Sequence, residues 1–433
     1  MAGLLFLALL VLIAGGMPVA FALGVSTLFV LLLQGSIPLV LIGQRLFAGL
    51  DSFPLMAVPL FILAGNFMDQ GGISLRIIRF ARALVGWLRA SLAMVSVVAM
   101  MLISGVTGSG TADTVAIGSV TIPAMRRQGY NPDFATALMA AAGALGPIIP
   151  PSLIMVFMGV VNNVSIGGLF IAGVIPGLLV GLSLMVAAYL HALKGGPAYL
   201  EIEPFSLSKL WATLVAALPA LVMPLIIIGG ILGGVFTATE AAVVAVAYGC
   251  LVGLLVYRDL RLSAVPAILV ASALQSAVVM LIIGTANLFA WLVAAEQVPG
   301  TVAATIKSMS SSPVIFLLLV NLLFFVIGMF LESIAAIIIF MPLLFPVATS
   351  FGIDPLHFSV VAAVNLSIGL ATPPYGATLF AASMLSRRSI RQVTPFIIPM
   401  VVAMVVVLLL ITYIPEIVLF LPRLLMGYRP VGG

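Results

Sequence analysis

Long apolar runs, interrupted by glycine, proline and short polar clusters, fill most of this chain. A bilayer core needs about 20 apolar residues per crossing helix. Stretches near 3–33, 51–69, 134–190, 210–257, 264–293 and 392–420 supply them, with room for two passes each in the third and fourth. Residues 3–33 read either as one long tilted helix or as two helices broken at Gly15-Gly16-Met17-Pro18. Residues 90–125 and 313–350 differ. Each holds two apolar arms of about 15 residues around a polar tip, short for spanning and suited to a re-entrant hairpin.

The two halves repeat. A shift of 223 residues lays Pro123 on Pro346, Gly129 on Gly352, Pro132 on Pro355, Gly146 on Gly369 and Pro150-Pro151 on Pro373-Pro374. Each half therefore reads as hairpin, half-helix, break, half-helix, the breaks being GPIIPPS (146–152) and GLATPPYG (369–376). Paired prolines remove backbone donors and the nearby glycine permits unusual dihedrals. The freed carbonyls must face protein, water or an ion, because bare in lipid they cost several kcal/mol each.

Charge adds orientation. Lys and Arg near span ends stay on the cytoplasmic side, and one alternation collects thirteen of the 17: Arg76, Arg79, Arg82, Arg89, Arg126, Arg127, Lys194, Lys209, Arg258, Arg261, Arg387, Arg388 and Arg391. Arg45, Lys307, Arg423 and Arg429 fall opposite. The first hairpin then opens to the cytoplasm and the second outward, so the repeat is inverted, as in many secondary transporters. Arg76, Arg79, Arg82 and Arg89, with apolar residues between, read as an amphipathic segment along the cytoplasmic surface. Trp87, Trp211 and Trp291 fall near span ends, as an interfacial belt requires.

Composition excludes several classes. With 64% hydrophobic and 7% charged residues, against about a quarter charged in soluble domains, the chain is not water-soluble. One cysteine, Cys250, forbids an internal disulfide, and two histidines, His191 and His357, leave little for transition-metal or haem chemistry. The net charge of +5 is scattered over loops, unlike a nucleic-acid-binding face. The apolar start, Met1 to Ala14, lacks the cationic region of a secretory signal and is expected to be retained. No GxSxG or HExxH motif supports an enzyme, and a glycine- and hydroxyl-rich first tip without the P-loop lysine does not support ATP hydrolysis. Two offset hairpins closing opposite ends of one site suit alternating access better than a channel.

Asp113, Glu240 and Glu332 are acids in apolar stretches, where an acid is a functional candidate. Asp113 reads equally as a helix cap or an ion-linked group, and Glu240 as the stabiliser of a helix beginning near Thr237. Glu332 lies at a tip and reads as functional. His357 and His191 read as membrane-interface residues. The first tip, Ser104 to Thr114, could on its own be a close-packing motif of small residues. Its pairing with GPIIPPS and a repeat partner favours a site. No Lys or Arg lies inside a broken helix or tip, so positive potential there must come from half-helix N-termini and bound cations. Uncharged oxygens suit a hard monovalent ion and point to sodium, with protons through Asp113 or Glu332 as the other option.

Four stretches, GSGTADT (108–114), GPIIPPS (146–152), GGVFTATEAA (233–242) and NLSIGLATPPYGATLF (365–380), together resemble the large membrane subunit of tripartite ATP-independent periplasmic (TRAP) transporters, over essentially the whole chain. The resemblance implies an all-α polytopic membrane protein of the ion transporter superfamily, an elevator-type carrier with scaffold and transport domains. Residues 1–89, 164–306 and 387–433 would form the scaffold, and 90–163 and 307–386 the transport domain. It also implies a sodium-coupled importer of a carboxylate-containing solute in the bacterial inner membrane. The partners it implies are a small four-helix membrane subunit, expected as a separate chain, and a periplasmic substrate-binding protein. No organic cofactor is expected. By motif, the first sodium site would involve Thr107, Gly108, Gly146, Ile149 and Pro151, and the second Gly328, Glu332, Gly369, Thr372 and Pro374. Substrate would lie near Ser109, Thr111 and Ser333. The rival function is a stand-alone sodium/dicarboxylate symporter needing no binding protein.

Overall fold

The computed structural model describes residues 1–35, 37–193, 199, 202–301, 304 and 312–430. Among the described residues there is no β-strand, and seven helical stretches are long and apolar enough to cross a bilayer. The first 34 residues form two helices, α1 (Ala2–Ala14) and α2 (Val19–Gln34), so the break at Gly15 to Pro18 is real. A short helix α3 (Val40–Leu50), which the apolar pattern did not separate, precedes α4 (Ala57–Gln70).

Helix α5 (Ile73–Val85) is amphipathic as expected: Ile73, Ile77, Phe80 and Ala81 are buried while Arg79 and Arg82 are exposed. It is shorter than the predicted segment. Gly86 ends it, and Arg89 falls in the link to the next element.

The first hairpin is α6 (Ser91–Thr107) and α7 (Gly110–Arg127), joined by Gly108 and Ser109. It leads to α8 (Pro132–Gly143), an irregular break, and α9 (Leu153–Asn162). Four long helices follow: α10 (Ile166–Leu193), α11 (Leu207–Leu232), α12 (Ala238–Leu251) and α13 (Val265–Ala295). The second hairpin is α14 (Pro313–Gly328) and α15 (Ser333–Ser350), followed by α16 (Pro355–Gly369), a second break and α17 (Ala377–Ser386). At 18 mostly apolar residues, α15 is long enough to cross, beyond the short arm read from sequence. The last apolar run, 392–420, is two elements: α18 (Ile390–Tyr413) stops where Pro415 starts the separate helix α19 (Pro415–Met426).

The repeat is visible in local chemistry as well as in element order. Gly129 and Gly352 both take the left-handed region, with φ of 88° and 73°, where a β-carbon would be strained. Two residues on, Asn131 and Asp354 cap α8 and α16 with their side-chain oxygens, and Pro132 and Pro355 occupy the first helical position, where a missing N–H costs nothing. Ser109 and Glu332, again 223 apart, are the N-terminal caps of the returning hairpin arms.

Ion pairs engage four of the cytoplasmically assigned basic residues. Arg76 pairs with Asp259 at 2.6 Å, Lys209 with Glu203 at 2.8 Å, Arg82 also with Glu203, and Arg388 with Asp133 at 2.5 Å. Partial burial alone would raise the Glu203 carboxyl, but the Lys209 hydrogen bond and the charges of Arg82 and Lys209 outweigh it and hold the group below the usual carboxylate range. Elsewhere the Met1 amine and Gln34 join Glu296, at 3.6 and 2.5 Å, and Arg45 lies over Trp291. Lys194 and Lys307 lie outside the described residues.

Both histidines are covered by neighbouring helices to some degree. His357 is buried and its Nε2 lies 2.8 Å from the Ile411 carbonyl, because the C-terminal turns of α18 cover the start of α16. His191 is partly buried and stacks on Phe134 at 4.1 Å between ring centres. Glu240 closes a capping box with Thr237 at the start of α12, the structural role expected of it.

Candidate functional site

Each hairpin tip meets the break of its own half. A β-carbon built on Gly146 would stand 2.5 Å from the Gly110 nitrogen, and one on Gly108 would stand 2.7 Å from the Pro151 carbonyl oxygen. In the second half, a β-carbon on Gly369 would stand 2.5 Å from the Gly328 Cα. Only backbone on both sides permits such approaches. The motif glycines are therefore needed for the tips to dock on the breaks.

The breaks leave carbonyls without partners. Those of Gly146, Ile148, Ile149 and Pro150 accept no hydrogen bond from the described residues, and neither do those of Ala371 and Pro373. Both Pro150-Pro151 and Pro373-Pro374 are cis. An inward-facing oxygen in an apolar setting is costly unless something coordinates it, and a hard cation such as sodium prefers oxygen ligands. The donor set fits sodium at both breaks. At the first, Gly108 lies against the Pro151 carbonyl and Gly146 against the Ser109-Gly110 backbone, with Thr107 beside Gly108 at the end of α6 and the Ile149 side chain near Gly105. At the second, Gly328, Gly369 and Thr372 converge, with the buried Thr372 hydroxyl donating to the Ile368 carbonyl at 2.8 Å and its lone pairs left over. Glu332 is not brought onto this break by any described hydrogen bond. Its carboxylate accepts from the Ile334 and Ala335 amides at 3.0 and 3.3 Å and caps α15.

Asp113 does not cap α7, whose N-terminal cap is Ser109. Its fully buried carboxylate reaches back to the outgoing arm, accepting from Ser104 Oγ at 3.2 Å and from Thr107 Oγ1.

Ser109 and Thr111 line a cavity of about 610 Å³ together with Thr107, Ala112, Leu153 and, from α4 and α13, Asn66, Asp69 and Gln275. Ser333 is not on its wall; it is buried at the start of α15 with no hydrogen-bond partner for its hydroxyl among the described residues. Asn66 donates to Ser272 Oγ at 2.8 Å and to Gln275 Oε1 at 3.2 Å, so an amide pair faces the hairpin tip. Sequence reasoning missed Asn66 and Gln275 because, among polar side chains within the apolar runs, it weighed acids, histidines and tip hydroxyls but no amides. Amides inside apolar spans carry the same signal.

The family description "Tripartite ATP-independent periplasmic transporter, DctM component" matches residues 6–417. This chain belongs to that family. The permease is 41% identical to the sialic acid TRAP transporter large permease protein SiaM of Vibrio cholerae, covering 96% of this chain and 97% of the relative. It is 38% identical to the C4-dicarboxylate TRAP transporter large permease protein DctM of Rhodobacter capsulatus, over 98% of this chain and 99% of the relative. With the isethionate TRAP transporter permease protein DctMQ of Oleidesulfovibrio alaskensis it shares 39% identity over 94% of this chain, spanning 64% of that relative's length. The fold is that of the Alcanivorax borkumensis YdaH transporter, whose crystal structure was described as having an unusual topology, with a TM-score of 0.62, 17% identity and coverage of 91% and 90% of the two chains.

Proposed function

We propose that this permease imports a carboxylate-containing solute with sodium across the bacterial inner membrane, the two hairpins and broken helices moving as one elevator body against the other helices. The observation that carries the reading is the pair of backbone-to-backbone junctions at Gly146 and Gly369, each beside unpartnered carbonyls. Packing across the repeat supports a single moving body: α9 lies on α15, and α17 lies on α7 and α8. The single Thr378 hydroxyl proton of α17 is shared between the Ala140 carbonyl of the first half and the Leu370 carbonyl of its own, both at 2.8 Å, tying the halves together.

The solute enters the cavity at the first tip. Among the described residues lining it the only charged one is Asp69, so an anion is held there by the amide N–H groups that open α7 at Thr111 and Ala112. Relatives named for C4-dicarboxylate and sialic acid favour a carboxylate. A small membrane subunit and a periplasmic binding protein complete the system, in keeping with the tripartite family.

The test is uptake into proteoliposomes under an inward sodium gradient. Uptake should need all three components and should stop when choline replaces sodium. Uptake by the permease alone would establish the stand-alone symporter instead, and uptake driven by a proton gradient without sodium would remove sodium coupling.

A further inference from the structure

The first hairpin carries a group that the sodium ligands named above do not include. Asp113 is fully buried, and none of the ion pairs among the described residues includes it. A carboxylate is an acceptor only, so the two hydroxyls beside it, Ser104 Oγ at 3.2 Å and Thr107 Oγ1, must both donate. Their protons then point at Asp113 and their lone pairs point away from it, one on Thr107 Oγ1 taking a long 3.5 Å contact from the Ser109 amide and the rest left over. Carbonyl oxygens of the break crowd the same place: Pro150 O would lie 3.4 Å from a β-carbon on Gly105, and Pro151 O 2.7 Å from one on Gly108. A buried negative charge without a counter-charge is costly, and here it stands near the Pro150 and Pro151 carbonyls, which accept no hydrogen bond from the described residues.

The repeat partner is different. The 223-residue shift takes Ser104 to Ile327, Thr107 to Phe330 and Asp113 to Ala336, so the second hairpin has neither the hydroxyls nor the acid at these places.

We propose that Asp113 is the positioning residue of the first sodium site: it fixes the Thr107 and Ser104 hydroxyls with their lone pairs toward the ion and supplies the charge that balances it. The acid of the second hairpin, Glu332, has one carboxylate oxygen engaged by the Ile334 and Ala335 amides and holds no hydroxyl toward the break, so the two sites are unequal and the first fills at lower sodium concentration. This rests on the sodium reading above.

The test uses the purified full chain in detergent, without solute or partners. Its melting temperature is titrated with sodium chloride against choline chloride at constant ionic strength. The wild type should be stabilised by sodium. Asp113→Asn, nearly isosteric, should raise the sodium concentration for half-maximal stabilisation by about tenfold or more, the loss of one charge-assisted interaction. Thr107→Val should do the same, Thr107→Ser should restore the wild-type midpoint, and Asp113→Asn with Thr107→Val should be no worse than either alone. If Asp113→Asn lowers the sodium-free melting temperature while the midpoint stays put, Asp113 is only a brace between the hairpin arms and the proposal is overturned. If the wild type does not respond to sodium, the sodium reading fails and this proposal fails with it.

Discussion

Gly369 and Gly328 stand backbone to backbone, so near that a β-carbon on Gly369 would fall 2.5 Å from both the Cα and the carbonyl carbon of Gly328. Backbone cannot swing aside as a side chain can. Gly369→Ala should therefore cost about 1–3 kcal/mol, as overpacking does, and should abolish uptake by lifting the tip from the break. Gly229 is the control: it lies within α11 and its β-carbon would meet nothing within 4 Å, so Gly229→Ala should stabilise by about 0.5–1 kcal/mol. Thermal unfolding of the three proteins in detergent measures both effects. An unchanged melting temperature for Gly369→Ala would refute the close junction.

Thr372→Val keeps the shape of a buried side chain and removes its oxygen. If that hydroxyl coordinates sodium, its loss should weaken the second site by about 1–3 kcal/mol, raising the sodium half-saturation of uptake roughly tenfold or more. Ile149→Val should change little, since only a carbonyl acts there. An unchanged sodium curve for Thr372→Val, with uptake still sodium-dependent, would remove Thr372 from the site.

Orientation can be read by labelling. In a Cys250→Ala background, Arg391→Cys stands at the start of α18, just after the Arg388 that pairs with Asp133, and Arg429→Cys follows α19. The charge rule predicts that a membrane-impermeant maleimide applied to intact spheroplasts labels position 429 and spares 391. The reverse pattern would invert the topology.

Glu203 makes stability depend on acid. Its carboxyl sits below its ordinary value because Lys209 and Arg82 outweigh its partial burial. A group depressed in the folded state stabilises above its unfolded value and loses that contribution as pH falls through the folded one. The gap in melting temperature between wild type and Glu203→Gln should thus be widest near neutral pH and should close below the usual carboxylate range. A gap independent of pH would mean that the pairs with Lys209 and Arg82 contribute nothing through charge.

The hairpins, the breaks and the repeat were legible because each depends on residue types with few alternatives. Proline and glycine limit the backbone locally, so Pro132 and Pro355 mark helix starts and Gly146 and Gly369 mark close approaches wherever they fall. What stayed hidden depended on contacts distant in sequence. Nothing local to His357 announces that Ile411 will cover it. Asn66 and Gln275 become a cavity wall only when α4 and α13 lie together. Glu332 at a tip looked like a ligand because a cap and a ligand call for the same carboxylate. The structure shows the cap, with Oε2 of that carboxylate accepting both the Ile334 and the Ala335 amide.

The crossed packing of the halves bears on how the chain is made. Helix α9 is complete at Asn162, yet the arm it packs against begins at Ser333, 171 residues later by subtraction. The Asn162 side chain donates to Ser359 at 3.1 Å, a partner synthesised later still. During translation the first half must therefore wait in the bilayer with one face open and the Asn162 amide limited to the weak Met158 sulfur acceptor, a cost that hydrocarbon does not relieve. The ribosome closes that face last, so the order of synthesis makes the second repeat the clasp that finishes the first.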